Sequence, residues 1–494
     1  MKCVKNYLLS ALILFSLGAG SLLAEEESRT LVFDDSKYTK SFQKIDGKKI
    51  EFRSFENIVY VKNPVSVEYQ HMNIYIPEAY FEGKQIGSYN EKTAPIFLPN
   101  MVGGYMPGKV GVTKIDVNGK ANAILRALSK GYVVAAPAAR GRTLKNSEEE
   151  YIGKAPAAIV DLKAAVRYLH YNDERMPGDA NKIISNGTSA GGALSALLGA
   201  SGNSKDYEKY LKELGAANAN DDIFAVSSYC PITNLEHADV AYEWMYADIE
   251  PETKENISTF QKWFHKKSVG LTEEEKKVAR ELRAKFAGYF NSLELRDKEG
   301  KLLYLNYEGR GNFENYLKAL ILNSAQKAIE NGKNLSSYSW IKIQDNKVQE
   351  LDFQLFLHSE KRRKSPPAFD SFDLKSAENE LFGNKKQNAQ HFTEYSLKHS
   401  KENASMAKEE VIKCMNPMNY LEDEEVNIPR YWRIRHGTSD SHTSPVIPVI
   451  LAIKLQNLGY EVDFFLPWKQ GHGGDYDLEE LFQWMDEIVK KDRR

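Results

Sequence analysis

The sequence predicts an α/β fold: a doubly wound, mostly parallel sheet that is interrupted by a large, mainly helical insertion. Three observations support this prediction. Short apolar strands alternate with helical patterns over residues 77–230, and the same alternation returns after residue 416. The stretch between them is polar, rich in Lys and Glu, and helical in pattern. Strands that alternate with helices in this way are typical of parallel sheets flanked by helices.

The elements can be predicted in chain order. Residues 31–76 contain short strands of alternating polarity, as in IVYVKNPVSVEYQHMNIYI. The runs APIFLPN, GYVVAAPAARGR, KIISNG and IFAVSSYCPI are apolar strands, and APAAIVDLKAAVRYLHYN has its apolar residues at helical spacing. Near the carboxyl terminus RYWRIRHG and YEVDFFLPW are strands, whereas PVIPVILAIKLQNLG and LEELFQWMDEIVKK are helices.

These changes of pattern predict the domain limits. We expect an export signal at residues 1–24, the first part of the sheet domain at 25–230, the insertion at 231–415 and the second part of the sheet domain at 416–494. The insertion is large enough to be a domain of its own. It contains long helical patterns such as LTEEEKKVARELRAKFAGYF, whose Lys and Glu residues are expected on solvated faces.

The amino terminus has the pattern of an export signal. Lys2 and Lys5 begin it, the apolar run YLLSALILFSLGAGSLLA ends in small residues, and the charged EEESR follows at once. We therefore expect cleavage after Ala24 and an exported protein, either periplasmic or secreted. An uncleaved anchor helix is the alternative, but the run is short and broken by glycines. No later stretch is apolar and long enough to span a bilayer.

Charge and cysteine content exclude other classes of function. The net charge of -2 argues against a protein that binds nucleic acid or an anionic membrane surface. Without the signal two cysteines remain, Cys230 and Cys414, and they lack metal-ligand spacing. We expect buried thiols, with a single disulfide as the alternative. Neither a metal nor an organic cofactor is implied.

The segment GTSAG, centred on Ser189, carries the first chemical signal. It fits the G-x-S-x-G nucleophile elbow, a sharp turn from strand to helix that raises a serine above the sheet. Side chains at Gly187 and Gly191 would clash in such a turn. A strand precedes the segment and a helix follows it, which favours a nucleophile over the alternative, a glycine-rich packing turn. The helix dipole would favour developing negative charge there.

Two late loops supply an acid and a base in the order that this arrangement requires. A serine hydroxyl needs a base to take its proton, and in this architecture the acid and the histidine follow the serine in the chain. Asp440 lies in TSDSHTS after one late strand, and His472 lies in KQGHGGDYD after the next. His436, at a strand end, is expected to be structural, and His442 precedes the final loop. We expect Asp440 to orient His472 as the base.

The tetrahedral intermediate of acyl transfer needs hydrogen-bond donors for its oxyanion. The first is expected to be the backbone N–H of Ala190, the residue after the nucleophile. The second is expected from the loop NMVGGYMPG, in which Gly103 can present its N–H without a side chain, unless this is an ordinary glycine turn. Each such donor typically lowers the barrier by about 3 kcal/mol.

Several segments of the sequence resemble those of a known family. The strings GTSAGGALSALLGASGN, SSYCPITNLEHAD, RHGTSD and GYEVDFFLPWKQGHGGDYDLEELFQW are similar to those of the bacterial tannases (tannin acyl hydrolases) of the α/β-hydrolase superfamily. The similarity covers most of the mature chain, including the insertion. It implies hydrolysis of galloyl esters and of the depside bonds between galloyl units, with release of gallic acid. It also implies that the insertion is a lid.

The resemblance further implies residues that bind the gallate hydroxyls. Lys364 in RKSPPAFD and Glu378 in SAENELFG match two of three family positions. An ammonium and a carboxylate can donate to and accept from adjacent phenols, and such a site rejects analogues that lack the hydroxyls. At the third position the family has an aspartate, and this chain has His442. The loss of a fixed carboxylate there bears on hydroxyl selectivity and on the pH optimum, and not on ester hydrolysis.

Three other functions are alternatives to that of a tannase. A broader phenolic-acid esterase would act on feruloyl or caffeoyl esters, and a comparison of methyl gallate with methyl ferulate separates it. A serine exopeptidase is disfavoured because no propeller-like repeat precedes the hydrolase part. An inactive hydrolase fold acting as an exported binding protein is disfavoured by the intact Ser189, Asp440 and His472.

Overall fold

The computed structural model describes residues 29–251 and 270–492. The predicted export signal and its cleavage after Ala24 lie outside the described residues. Within the two described ranges, no helix combines the length and the apolar character needed to cross a membrane.

Eleven strands are assigned in the described residues. They are β1 (Thr39–Ile45), β2 (Lys48–Val59), β3 (His71–Pro77), β4 (Pro95–Pro99), β5 (Val133–Pro137), β6 (Asp179–Thr188), β7 (Ala225–Tyr229), β8 (Ile341–Gln344), β9 (Lys347–Leu351), β10 (Tyr431–Arg435) and β11 (Glu461–Phe465).

Fourteen α-helices accompany these strands in the same described ranges. They are α1 (Glu78–Phe81), α2 (Ala123–Ser129), α3 (Ala157–Tyr171), α4 (Ala190–Ala200), α5 (Glu208–Glu213), α6 (Leu235–Tyr246), α7 (Glu273–Ser292), α8 (Asn312–Glu330), α9 (Phe353–Glu360), α10 (Ala377–Leu381), α11 (Glu394–Lys398), α12 (Glu409–Lys413), α13 (Val446–Asn457) and α14 (Leu478–Asp492).

Nine of the strands form one sheet in the order β1-β2-β3-β5-β4-β6-β7-β10-β11. The first four pair antiparallel, and every neighbouring pair from β5 to β11 is parallel. Strands β4 and β5 are buried at every position, because helices flank a parallel sheet on both faces. Their sequences therefore read as continuous apolar runs. The predicted α/β fold with a mostly parallel sheet is confirmed.

The register of the sheet brings four loops to one edge. Thr188 pairs with Tyr229, Tyr229 pairs with Arg435, and Arg435 pairs with Phe465. These residues end β6, β7, β10 and β11, and all four strands run in the same direction. The loops that follow the strands therefore start side by side. Ligands of open α/β sheets bind at this carboxyl edge.

The chain between β7 and β10 contains α6 to α12, in agreement with the helical pattern of the sequence. It also contains a two-stranded sheet of β8 and β9, which the pattern analysis did not predict. Asp345 and Asn346 connect these strands with positive φ angles of 51° and 58°. Two residues at positive φ form the type I′ turn that suits the twist of a β-hairpin, and Asp and Asn tolerate it.

Candidate active site

Ser189 occupies the turn between β6 and α4 in an uncommon backbone conformation. Its φ is 61° and its ψ is -122°, a backbone region that residues with a side chain rarely adopt. A Cβ atom at Gly187 would lie 2.2 Å from the carbonyl oxygen of Gly191, and one at Gly191 would lie 2.6 Å from Oδ1 of Asn100. Both positions require glycine for lack of space. The turn has the geometry of a nucleophile elbow.

The three residues predicted to act as a unit lie within hydrogen-bond distance of one another. Nε2 of His472 is 2.8 Å from Oγ of Ser189, and Nδ1 of His472 is 2.8 Å from Oδ2 of Asp440. With Nδ1–H donating to the carboxylate, Nε2 is left to accept the hydroxyl proton. Oδ1 of Asp440 accepts the backbone N–H of His442 at 3.0 Å. The buried carboxylate thus has partners on both oxygens.

The imidazole of His472 and the carboxylate of Asp440 shift each other's protonation. Burial alone lowers the pKa of His472, but the Asp440 carboxylate and the Cys230 sulfur outweigh it and raise the pKa well above its usual value. Burial alone would raise the pKa of Asp440, yet the charge of His472 leaves it far below the ordinary range. The arrangement therefore stabilises an imidazolium against a carboxylate, which is the pair that forms when a base takes a serine proton.

Two further histidines surround the same carboxylate. His436 is fully buried, and its Nε2 lies 3.3 Å from the carbonyl oxygen of Asp440. Burial lowers its pKa and so disfavours the charged form of its ring. The ring of His442 lies 5.0 Å from that of His472, centroid to centroid. Burial, followed by the charge of His472, lowers the pKa of His442 to about 3. His442 is therefore a neutral group beside the base.

The predicted oxyanion donors lie on two segments that touch. Ala190 is the first residue of α4, and the N–H groups of the first turn have no partner inside a helix. Gly103 lies in the loop after β4, and a Cβ there would meet no atom within 4 Å, so its backbone borders open space. A Cβ on Gly191 would lie 2.7 Å from the carbonyl oxygen of Val102. The loop of Gly103 therefore abuts the serine turn.

Lys364 and Glu378 lie on the part of the insertion that faces this edge of the sheet. Nζ of Lys364 is 3.6 Å from the ring centroid of Phe369, and its charge contributes to lowering the pKa of His442. Glu378 is buried in α10. After burial itself, the charge of Glu378 is the next cause that raises the pKa of Tyr105, in the loop after β4. The charge of Lys364 thus acts on His442, and the charge of Glu378 acts on Tyr105 in the loop of Gly103.

Asn100 supports the serine turn, a role that the sequence motifs above do not predict. Its Nδ2 donates to the carbonyl oxygen of Gly191 and to Oγ of Ser195, each at 3.0 Å. Its Oδ1 accepts the N–H of Val102 at 3.4 Å. Asn100 therefore joins the loop after β4 to the start of α4. A signal was available, because an asparagine that directly ends the buried strand APIFLPN needs partners.

Arg142 joins the same loop to the insertion. Its Nε donates to the carbonyl oxygen of Gly104 at 2.8 Å, and its backbone N–H donates to the carbonyl oxygen of Tyr105 at 2.8 Å. Its guanidinium also pairs with Glu380 of α10, the helix that carries Glu378. The local sequence around Arg142 gave no indication of these contacts, since their partners lie far away in the chain.

The insertion contains a second Ser–His–Asp arrangement. Oδ1 of Asp370 is 2.7 Å from Nδ1 of His391, and Nε2 of His391 is 2.9 Å from Oγ of Ser400. Ser400 lies after α11 and not at a turn from strand to helix, and its hydroxyl donates to the carbonyl oxygen of Glu402 at 3.0 Å. The other oxygen of Asp370 accepts the N–H groups of residues 392 and 393. This arrangement joins three segments of the insertion to one another.

Both cysteines of the described chain are buried free thiols, as expected. Cys230 follows β7 and lies next to the pair of His472 and Asp440. Its sulfur, one oxygen of Asp440 and one nitrogen of His472 all lie within 4.8 Å of one another. In the two described ranges this is the group of side chains that could hold a metal ion.

The chain is similar to several known proteins. The model of the BD-FAE family matches residues 91–279. The crystal structure of Fusobacterium nucleatum tannase has 54% sequence identity and a TM-score of 0.88, and the match covers 93% of this chain and 99% of that one. The native structure of the tannin acyl hydrolase from Lactobacillus plantarum has 44% identity and a TM-score of 0.87, with the same coverage. None of the curated proteins matches the chain.

A tannin acyl hydrolase solved in complex with ethyl gallate also has 44% identity and a TM-score of 0.87, and the match covers 93% of this chain and 99% of that one. Identities of this size over nearly the whole of both chains establish more than a common fold. The resemblance seen in the sequence is confirmed: this chain belongs to the tannase family of α/β-hydrolases, which are carboxylic ester hydrolases.

Proposed function

We propose that this chain is an exported serine esterase that hydrolyses galloyl ester and depside bonds of hydrolysable tannins and releases gallic acid. The observation that carries the proposal is the continuous hydrogen-bonded line from Ser189 through His472 to Asp440, with both distances at 2.8 Å. The relative solved with ethyl gallate, which is a galloyl ester, supports the substrate class.

In the first half of the reaction, Oγ of Ser189 attacks the ester carbonyl while Nε2 of His472 takes its proton. The carbonyl oxygen becomes an oxyanion that accepts hydrogen bonds from the N–H groups of Ala190 and Gly103. Asp440 stabilises the imidazolium and keeps Nδ1 protonated. The tetrahedral intermediate then expels the alcohol, which receives its proton from Nε2, and a galloyl ester of Ser189 remains.

In the second half, water replaces the alcohol. His472 removes a proton from the water, the hydroxide adds to the galloyl carbonyl, and the oxyanion again forms beside Ala190 and Gly103. When this intermediate collapses, the bond to Ser189 breaks and Nε2 returns the proton to the serine oxygen. Gallic acid leaves, and the starting protonation state is restored.

Recognition of the gallate ring is assigned to Lys364, Glu378 and His442. The ammonium of Lys364 can donate to a phenol oxygen, and the carboxylate of Glu378 can accept from a phenol O–H. His442 replaces the aspartate expected at its position, and the low pKa keeps it neutral. A neutral imidazole can accept one hydrogen bond or donate one, so the third hydroxyl is bound without a charge.

Lys364→Ala and Glu378→Gln are expected to lower kcat/KM for methyl gallate by about 10- to 100-fold, the effect of losing a hydrogen bond to a charged group. For p-nitrophenyl acetate, which has no ring hydroxyl on its acyl side, the same variants are expected to stay within about threefold of the parent, because that substrate leaves these groups unused. Steady-state kinetics on both esters give the comparison.

Two exposed residues of the insertion provide matched controls for these variants. Lys375→Ala and Glu402→Gln change the same charges at solvent-exposed positions, so they should leave both activities near the parent. Equal losses on the two esters in Lys364→Ala or Glu378→Gln would remove these residues from the gallate site.

The pH dependence of kcat/KM follows from the protonation of His472. Only the neutral imidazole accepts a proton, so activity on p-nitrophenyl acetate should rise with pH as His472 loses its proton. Because the pKa of His472 is raised, the midpoint of this rise is expected above 6.5, the ordinary histidine value. The acetyl ester is chosen because its acyl group has no phenol to ionise. A midpoint at or below 6.5 would contradict this protonation state.

A comparison of methyl gallate with methyl ferulate tests the substrate class. The alternative function is a broader phenolic-acid esterase, and the two methyl esters share the same leaving group. We expect kcat/KM for methyl gallate to exceed that for methyl ferulate by at least about 100-fold, because ferulate lacks the adjacent hydroxyls that would pair with Lys364 and Glu378. Equal turnover would favour the broader esterase.

Export is supported by the basic, apolar and small-residue pattern of residues 1–24. Expression of the full chain in a bacterial host is expected to yield an active protein outside the cytoplasm. Amino-terminal sequencing of that protein should begin at Glu25. An intact amino terminus on the active protein would contradict cleavage.

A further inference from the structure

One group of potential metal ligands includes the candidate base, His472. It consists of the Cys230 thiol, the His472 imidazole and the Asp440 carboxylate, with one ligand atom of each within 4.8 Å of the other two. The mechanism proposed above uses the imidazole and the carboxylate and leaves the thiol without a role. The group therefore combines a sulfur, a nitrogen and an oxygen donor around one point.

The thiol is held in this position by the sheet. Cys230 directly follows β7, which lies between β6 and β10, so its loop starts between those of Ser189 and Asp440. Its backbone N–H donates to the carbonyl oxygen of Arg435 at 2.7 Å. Its φ of 36° fixes an uncommon turn, and Sγ lies 3.5 Å from the carbonyl oxygen of Gly473, next to His472. Cys230 is thus held by the end of β10 and by the loop that carries His472.

The donor set matches the chemistry of soft and borderline cations. Zinc binds thiolate sulfur at about 2.3 Å and imidazole nitrogen and carboxylate oxygen at about 2.0–2.2 Å, so ligands of one tetrahedral ion lie roughly 3.3–3.8 Å apart. Nδ1 of His472 and Oδ2 of Asp440 are 2.8 Å apart and would separate slightly around an ion, whereas the sulfur, which lies within 4.8 Å of a ligand atom of each, would move closer. Three protein ligands leave a fourth position open to water or to the serine oxygen. Thiolate and imidazole together disfavour Mg²⁺ and Ca²⁺.

We propose that Cys230, His472 and Asp440 form an inhibitory site for soft divalent cations such as Zn²⁺ and Cd²⁺. Binding forms bonds from the metal to Sγ, to Nδ1 of His472 and to one carboxylate oxygen, the thiol proton passes to solvent, and the ring proton moves from Nδ1 to Nε2. No oxidation is involved. An imidazole bound to the metal has no lone pair for the Ser189 proton, so hydrolysis stops until the metal is removed. The inhibition rests on the proposed role of His472, whereas the binding does not.

The test uses Cd²⁺ as the probe and p-nitrophenyl acetate as the substrate, because the adjacent hydroxyls of gallate chelate metals. The full chain is compared with Cys230→Ser, Cys230→Ala and Cys414→Ser, the last being a control at the other buried free thiol. Two quantities are measured during titration: esterase activity relative to each protein's own starting value, and the ultraviolet absorption band of a cadmium–thiolate bond. Circular dichroism checks that each variant is folded.

We expect the parent and Cys414→Ser to lose activity as the cadmium–thiolate band grows, and to recover activity when a chelator is added. Both Cys230 variants should lack the band and require at least about tenfold more Cd²⁺ for half inhibition. Inhibition of the Cys230 variants at the parental concentration would overturn the site. A band that depends on Cys230 without loss of activity would overturn the inhibition and would also argue against His472 as the base. Failure of the metal site alone would leave the gallate and methyl ferulate results unaffected.

Discussion

Ser189→Ala is expected to lower kcat for methyl gallate by about a million-fold, the scale seen when a serine nucleophile is removed from a triad. In the proposed mechanism the hydroxyl oxygen forms the covalent bond to the galloyl group, and this oxygen stands on the turn at φ 61° with His472 aligned on it. Steady-state kinetics with an extended incubation gives the measurement. Residual hydrolysis near the parent rate would show that Ser189 is not the nucleophile.

The fold should survive this change. Alanine removes only one oxygen, and the close contacts of the turn involve Gly187, Gly191 and Asn100, not the serine side chain. Circular dichroism and thermal unfolding are therefore expected to match the parent within experimental error. Ser400→Ala serves as the matched control, because Ser400 also bonds to a histidine and an aspartate. We expect it to retain parental activity on methyl gallate wherever it folds.

Asp440→Asn is expected to reduce kcat by about 10⁴-fold, the loss that follows when a triad acid becomes an amide. Oδ1 of Asp440 accepts the backbone N–H of His442, so the amide oxygen is expected to keep that bond and to turn its NH₂ group towards His472. Nδ1 must then accept, and the imidazole carries its proton on Nε2, facing the serine. This tautomer cannot take the serine proton.

The matched control for Asp440→Asn is Asp463→Asn, on strand β11. That carboxylate pairs with Arg435 at the sheet edge and has no contact with His472. We expect its kcat to stay within about threefold of the parent. If Asp440→Asn retained more than a tenth of the parental kcat, the carboxylate would not be the group that orients the imidazole.

The sequence was sufficient to predict the fold and the residues at the sheet edge because both depend on regular patterns. Continuous apolar runs identify buried parallel strands, and chemical groups in the loops after such strands converge when the strands run the same way. The pairing of Thr188 with Tyr229 and of Arg435 with Phe465 shows this convergence. The places of Ser189, Asp440 and His472 after such strands predict that these residues lie close together, and the structure has them within hydrogen-bond distance.

The supporting residues could not be predicted from local pattern. Asn100 reaches Gly191, 91 residues away in the chain, and Arg142 reaches Glu380 in the insertion. Contacts of this kind depend on how the loops pack, which periodicity does not encode. The spacing of Cys230 in the sequence does not indicate a contact with His472, since the two meet only through strand order. The β8–β9 hairpin is different, because IKIQDNKVQEL carries a turn signal that could have been recognised.

The insertion contains a second Ser–His–Asp arrangement that has no sequence motif. Asp370, His391 and Ser400 adopt the hydrogen bonds of a triad, with separations of 2.7 and 2.9 Å. The sequence offers no motif for them, and their contacts resemble those of the sheet edge. What distinguishes them is the surrounding backbone: Ser400 is not on a turn from strand to helix and bonds to the chain at Glu402. Side-chain geometry alone therefore does not define a nucleophile.

Covalent labelling with an aryl phosphonate tests most directly whether the serine oxygen beside His472 is the activated nucleophile. The full chain is incubated with the reagent, activity on methyl gallate is followed, and the labelled peptide is identified by mass spectrometry. We predict one phosphonyl group per chain on Ser189, with activity lost in proportion to labelling and with protection by gallate. Complete inactivation with Ser189 unmodified, or with the label on Ser400, would contradict the proposed mechanism.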